Sequence, residues 1–434
     1  MEIYVVKPGD TIYSIAGKYG ITVMRLIRDN GFEYPLNLVV GQAIIITFPQ
    51  QLYTVQKGDT LAGIAASYGV TTLQLLRNNS YLSERKYIYP GEELVISYKT
   101  TGSTIVNGYA YPYIAKDILI RTLPYLTYLS VFNYRVLEKG DIITYREDED
   151  IVQLAISYGA VPLLMISSIS LQGEFDVETV NEILSNADKQ DFFVNQLIDR
   201  LKITKYKGIN ISINNLTPEN QESYISVLEK ISERIRSEGY QIFATINPNL
   251  NNTDQAKTNE EIDYGRISQL VEGITFSQLL WGNNKNPPSP VSSIDEMNSF
   301  IKPVIEQMPP DKIIMGMPLI GFDWELPYIP DKSVAHALTL NSAITLAGDV
   351  GTVIQFDEIS QTPFYLYNSI EIGAEIDHIV WFVDVRSINA LHRLIAQYHL
   401  SGFGFWNINI FYQQIWSYII SQYEIVKLLP ELIS

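Results

Sequence analysis

Few residues in this chain can do chemistry. Cysteine is absent from all 434 residues, so disulfides, thiolate metal sites and a cysteine nucleophile are excluded. The four histidines, His336, His378, His392 and His399, include no pair at i, i+4 spacing, and each reads as a surface or satisfied core residue. No glycine-rich phosphate loop, Gly-x-Ser-x-Gly elbow or nucleotide fingerprint occurs. Neither a cofactor nor a metal is expected. The acidic run Glu147-Asp148-Glu149-Asp150 precedes a helical stretch. It reads as a solvated helix start, where negative charge suits the dipole, in preference to a calcium site. One tract stands out. In Lys207-Gly208-Ile209-Asn210-Ile211-Ser212-Ile213-Asn214-Asn215-Leu216 polar residues alternate with isoleucine, so Asn210, Ser212 and Asn214 share one face of a strand.

Composition bounds what could position such a face. Hydrophobic residues make up 46%, enough for a sizeable core, and the length suits about three domains. The formal charge of −17 argues against nucleic acid and anionic lipid as partners. No run reaches the roughly 18 apolar residues of a membrane helix. Met1-Glu2-Ile3-Tyr4-Val5-Val6 shows no basic or apolar leader, so synthesis in the cytoplasm without a signal peptide is expected.

The first hundred residues repeat. Tyr4-Val5-Val6-Lys7-Pro8-Gly9-Asp10-Thr11 returns as Tyr53-Thr54-Val55-Gln56-Lys57-Gly58-Asp59-Thr60. Ile15-Ala16, Tyr19-Gly20 and Asn30 return as Ile64-Ala65, Tyr68-Gly69 and Asn79. Each copy reads as a short strand, a Gly-Asp turn, two helices and a closing strand. The glycines permit the turn, and Asp10 and Asp59 are placed to cap the helix that follows. The pattern resembles the LysM module, a βααβ unit, over residues 1–48 and 51–98. The resemblance implies binding of N-acetylglucosamine polymers such as peptidoglycan or chitin. It places the sugar between Asp10, Thr11, Ile12 and Leu38 in the first copy, and between Asp59, Thr60, Leu61 and Ile88 in the second. The alternative for these residues is simple helix capping.

After the linker Thr100-Thr101-Gly102-Ser103 the texture changes. Apolar runs at 104–111, 125–134, 161–168, 207–214, 240–247, 273–281, 313–320 and 402–407 alternate with helix-period stretches. Eight such strands predict an α/β fold, a (β/α)8 TIM barrel spanning 105–434. Its length predicts an insertion, a small α+β unit of short strands and turns at about 322–378.

The motifs Val106-Asn107-Gly108-Tyr109, Gly208-Ile209-Asn210-Ile211, Pro287-Pro288, Met315-Gly316-Met317-Pro318-Leu319, Gly321-Phe322-Asp323-Trp324 and Trp381-Phe382-x-Asp384-x-Arg386-Ser387 carry a second resemblance. This region is similar to the family-18 glycoside hydrolase barrel of LysM-bearing spore-cortex glucosaminidases. That family works by substrate assistance. Its fourth strand carries an Asp-x-Glu pair: the Glu protonates the leaving oxygen while the Asp steadies the attacking acetamido group. Aligned on that pattern, the two positions here are Ser212 and Asn214. An asparagine side chain has no proton to give at useful pH, and losing a general acid costs ~10²–10⁴ in rate. The tyrosine expected to hold the acetamido carbonyl is Leu279, and an acidic residue of the insertion side is Val383. No catalytic residue is therefore assigned. The tryptophan of the eighth strand survives as Trp406, implied as the floor of a sugar site, with core packing the alternative. Asn210 is carried as a further carbohydrate-binding candidate. Trp281 and Trp324 are weaker ones, and Asp323, Asp384 and Arg386 read as loop caps or an ion pair.

Three functions follow from the resemblance. The first is a non-catalytic binder of cell-wall glycan, peptidoglycan or a chitin-like polymer. The second is an active glucosaminidase whose acid has moved to Glu174, Asp176, Asp323 or Asp384. The third is a structural protein of spore coat or cortex, with coat proteins as partners. The first is the expectation, and enzyme activity is left open. A spore location rests on the resemblance alone.

Overall fold

The computed structural model describes residues 1–32, 37–83, 85, 87–169, 176–214, 216–248, 261–277, 283–371 and 373–432. Eight parallel strands follow the apolar runs: β1 Gly102–Ala110, β2 Tyr128–Val136, β3 Val161–Ser167, β4 Gly208–Ile213, β5 Gln241–Ile246, β6 Gly273–Phe276, β7 Ile313–Pro318 and β8 Gly402–Trp406. Each pairs with the next, and β8 returns to β1, with Gly402 opposite Ile105 and Trp406 opposite Tyr109. The sheet closes, and the fold is the expected TIM barrel. Ile209 and Ile213 of β4 are buried in the main apolar cluster with Ile225, Leu228 and Ile231 of the helix Gln221–Ser237.

One strand starts later than expected. The expected strand starts at Tyr125, yet Leu123–Tyr125 forms a 3-10 turn and β2 begins at Tyr128. Pro124 suits the first positions of that turn, and Tyr125 is buried against Trp416 with ring centroids 5.0 Å apart. Core packing rather than strand pairing took up Tyr125.

Between β7 and the helix Val385–Tyr398 lies a five-stranded antiparallel sheet, running in spatial order His336–Leu338, Gly321–Leu326, Ala374–Phe382, Thr362–Glu371 and Gln355–Asp357. The helix Leu340–Asp349 packs on it through Ala343 and Ala347. A hairpin of ten- and nine-residue strands dominates this unit, longer than the short strands expected.

Each repeat forms two helices and an antiparallel strand pair, Glu2–Val5 with Ala43–Ile46, and Gln51–Thr54 with Glu93–Ser97. The shared asparagine explains part of the repeat pattern. Buried Asn30 donates to Leu26 O and Ile45 O and accepts from Ile45 N, and Asn79 does the same with Leu75 and Val95. One side chain thereby ties the second helix of each repeat to its closing strand, satisfying backbone groups that neither element could pair alone.

Both repeats rest on the barrel. Gln414 donates to Asn30 Oδ1 and Ala43 O at 2.9 Å, Arg77 pairs with Glu424 at 3.0 Å, and Tyr125 OH donates to Arg77 O at 2.7 Å. The C-terminal segment straps the barrel base. Its Lys427 Nζ donates to Leu123 O, Leu126 O and Tyr158 O at 2.7–3.1 Å. Burial and the nearby Arg77 guanidinium nevertheless push this ammonium down to about 7. Below that value it is charged both folded and unfolded, and the fold bears the whole cost of burying it. From about pH 7 up to the ordinary lysine value the folded group is neutral while the unfolded one still binds a proton, so stability should rise with pH. Urea unfolding across that window should show the rise, by no more than about 5 kcal/mol, and Lys427→Met should flatten it. An unchanged slope in the variant would assign the effect elsewhere.

Candidate functional site

Groups at the C-terminal ends of barrel strands converge on one mouth. Trp406 closes β8 there, only 7% exposed, with its indole against Tyr109 at 5.5 Å, Tyr111 at 5.6 Å and Phe132 at 5.7 Å between ring centroids. The two latter contacts are edge-on, an arrangement that rings prefer to face-to-face stacking. A cavity of about 310 Å³ opens beside the indole, bounded by Tyr111, Leu319, Leu338, Asn407, Ile410 and Tyr412. The insertion supplies Leu338, so this wall exists only because the chain leaves the barrel after β7 and returns.

Beneath the mouth runs a buried polar layer. Tyr109 OH and Thr245 Oγ1 lie 2.8 Å apart, Thr245 Oγ1 donates to Asn210 Oδ1 at 2.8 Å, and Asn210 Nδ2 donates to Ser130 Oγ at 2.9 Å. Ser130 Oγ in turn donates to Asn107 Oδ1 at 3.0 Å. Burial pushes the Tyr109 hydroxyl above its ordinary value, so it stays neutral. Asn210 is fully buried with both ends of its amide engaged. It braces four strands and cannot meet a sugar, which corrects its assignment as a binding residue.

One layer higher, the polar face of β4 reaches the mouth. Asn214 Nδ2 donates to Ser212 Oγ at 2.8 Å. Asn214 Oδ1 is buried and, among the described residues, accepts nothing. The pair is neutral at every working pH.

The carboxylates considered as replacements have other work. Asp323 is buried and accepts from Tyr367 OH at 2.7 Å, with His378 Nδ1 3.1 Å away. Asp384 caps the helix Val385–Tyr398 and chelates Arg386, whose Nε and Nη2 lie 2.9 and 2.7 Å from Oδ2. Asp176 caps the helix Val177–Ser185. Burial works against its ionisation, but the Thr179 amide and hydroxyl and Arg135 hold its carboxyl below the usual range, the wrong direction for a general acid. The described carboxyls raised above their ordinary values are Asp29 in the first repeat and Glu296 in the helix Ile294–Gln307, the latter raised by burial and by Asp295. Leu279, Trp281 and Glu174 lie outside the described residues. Val383 is core, and Trp324 is buried in the insertion with its Nε1 donating to Asn286 O at 3.1 Å.

The acidic run needs one correction. Glu147, Glu149 and Asp150 are exposed at a helix start, but Asp148 is buried and accepts from Asn133 Nδ2 at 2.8 Å and Tyr206 OH at 2.6 Å. Among the described residues no group of three His, Asp or Glu is placed to hold a metal ion.

In the repeats, Thr11 and Thr60 are the helix N-caps, accepting from Ser14 N and Gly63 N at 3.0 Å. Asp10 and Asp59 are not caps, contrary to expectation. Each accepts from the backbone three residues back and from the tyrosine hydroxyl of the opening strand, Tyr4 or Tyr53, at 2.7 Å. These bonds hold the Asp10 carboxyl below its ordinary value, the Lys7 amide contributing most. Ile12 is buried in the first repeat's core, which removes it from the sugar-contact set, whereas Leu61, Leu38 and Ile88 are half-buried. Tyr109, Tyr111 and Thr245 had no assigned role in the sequence reading. Their signal was available as polar or aromatic residues at alternate positions of otherwise apolar strands.

Residues 163–410 match glycosyl hydrolases family 18, and residues 4–47 and 53–97 each match the LysM domain. The chain belongs to glycosyl hydrolase family 18. It is 31% identical to the cortical fragment-lytic enzyme of Bacillus anthracis and 32% identical to that of Bacillus subtilis, in each case over 98% of this chain and 99% of the relative. The crystal structure of the Bacillus cereus spore cortex-lytic enzyme SleL superposes with a TM-score of 0.78 at 29% identity, covering 98% of this chain and 99% of that one. The family match begins only at β3, and the structure adds β1 and β2 to the same closed family-18 barrel. Two LysM domains precede a glycosidase barrel here as a single covalent and packed unit. Among the described residues no helix is long and apolar enough to cross a membrane.

Proposed function

We propose that this family-18 member binds N-acetylglucosamine-containing wall glycan, through its LysM repeats and its barrel mouth, without cleaving it. The observation that carries the reading is the Asn214–Ser212 hydrogen bond at the end of β4. It stands where the family resemblance calls for a proton donor and an acetamido-orienting carboxylate. The aromatic floor at Trp406 is kept, and Asp176, Asp323 and Asp384 are held in helix caps and buried hydrogen bonds. Two modules on one chain raise the effective concentration of each for a polymer. The relatives are named for lysis of spore-cortex material, which supports a spore-wall location.

A second reading, an active glucosaminidase with a relocated acid, draws support from full-length relatives named as lytic enzymes. Mass spectrometry of spore-cortex peptidoglycan and chitin oligomers after long incubation with the pure protein separates the two. No new reducing ends are expected. Their appearance would overturn the binder reading and assign the acid to a residue off β4.

A further inference from the structure

The two repeats have the same fold, but the barrel treats them differently at one corresponding loop. In the first repeat the loop before the closing strand is Asn37-Leu38-Val39-Val40-Gly41, and in the second it is Tyr87-Ile88-Tyr89-Pro90-Gly91. A Cβ added at Gly41 would lie 1.9 Å from the Ile354 carbonyl oxygen, whereas one added at Gly91 would meet nothing within 4 Å. Ile354 N donates to Val40 O at 3.0 Å, and Val39 is buried with Ala343, Ala347 and Ile354 of the insertion. This lip of the first repeat is therefore occupied by the barrel. The matching lip of the second repeat faces solvent and carries Tyr87 and Tyr89, 61% and 59% exposed, on either side of half-buried Ile88.

A tyrosine offers a sugar ring both an apolar plate and a hydroxyl, and two exposed ones flanking Ile88 concentrate that chemistry on this lip. The first repeat has an exposed aromatic of its own, Tyr13, 69% exposed, on the opposite lip. The counterpart of Tyr13 in the second repeat is Ala62, so the exposed aromatic residues stand on the lip the barrel leaves open in each repeat, one in the first and two in the second.

We infer that the repeats divide the labour: the second is the main glycan grip, with Tyr87 and Tyr89 as its stacking platform, while the matching lip of the first is committed to the barrel. The inference rests on the glycan-binding reading above and adds to it which repeat binds and through which residues.

Calorimetric titration of the full chain with chitin oligomers tests it, with the thermal midpoint of each variant as a folding control. Tyr87→Ala/Tyr89→Ala should weaken binding by about tenfold or more with an unchanged midpoint. Tyr87→Phe/Tyr89→Phe should keep most of the affinity, because the plate remains. Tyr13→Ala and Asn37→Ala should each cost less than the double alanine variant. An equal or larger loss from Tyr13→Ala, or no loss from the Tyr87/Tyr89 double variant, overturns the division of labour while leaving glycan binding intact. Absence of binding by the wild-type chain to both chitin oligomers and cortex peptidoglycan overturns both readings.

Discussion

The Ser212→Asp/Asn214→Glu double variant should cleave N-acetylglucosamine polymers at least about 10²-fold faster than the wild-type chain, the lower end of what a positioned general acid contributes. The backbone for this gain is in place. β4 ends at Ile213, its residues pair in parallel register with β5, and side chains two apart share the mouth face. Ser212 and Asn214 already meet through a 2.8 Å hydrogen bond, so carboxyls at these positions would be neighbours. Two carboxyls this close do not both ionise readily, so one of them stays protonated to higher pH, as a general acid must. The activity should accordingly fall as pH rises through that raised value. Product release by mass spectrometry, beside each single variant, checks it. Asn214→Glu alone should recover less than the pair. A double variant that still binds oligomers yet releases nothing would mean that Ser212 and Asn214 are not what blocks catalysis.

A large stability effect is expected at the seam that closes the barrel. A Cβ at Gly402 would stand 1.9 Å from the Ile105 carbonyl oxygen, and both partners are backbone in a buried parallel pair, so neither can swing aside. Gly402→Ala should cost about 3 kcal/mol or more, because β8 must part from β1 to admit one methyl group. The same separation would displace Trp406, four residues along β8, and weaken binding at the mouth. Gly17→Ala is the control. Gly17 lies in the helix Ile12–Tyr19 of the first repeat, and an added Cβ meets nothing within 4 Å. That change should stabilise by roughly 0.5–1 kcal/mol through lost freedom of the unfolded chain. Urea midpoints of the two variants should move in opposite directions. A Gly402→Ala chain as stable as wild type would show that the seam yields more easily than its geometry allows.

Periodicity and recurrence carried most of the architecture. Two copies of a Gly-Asp-Thr turn and eight separated apolar runs suffice for repeats and barrel, because both signals follow from local constraints: a left-handed turn needs glycine, and a buried parallel strand is apolar throughout. The family resemblance, applied position by position along β4, brought out Ser212 and Asn214, and the period of two explains why both face the same way.

Local sequence could not weigh burial against exposure for a polar side chain. Asn210, Ser212 and Asn214 look alike in sequence, yet the first is sealed into a network spanning four strands while the last two reach the mouth. The same limit applies to Asp148, drawn inside by Asn133 and Tyr206 from elements 15 and 58 residues away. It applies also to Ile12, buried by its own repeat, and to Asp10, which bonds a tyrosine instead of capping a helix. The contrast between Gly41 and Gly91 is decided wholly at the tertiary level. Both glycines have positive φ in the same turn, and only the presence of Ile354 across a long-range contact makes one lip a joint and leaves the other open. Strand period and turn chemistry are properties of neighbours in the chain, whereas which polar group faces water is settled by residues far apart in sequence that folding brings into contact.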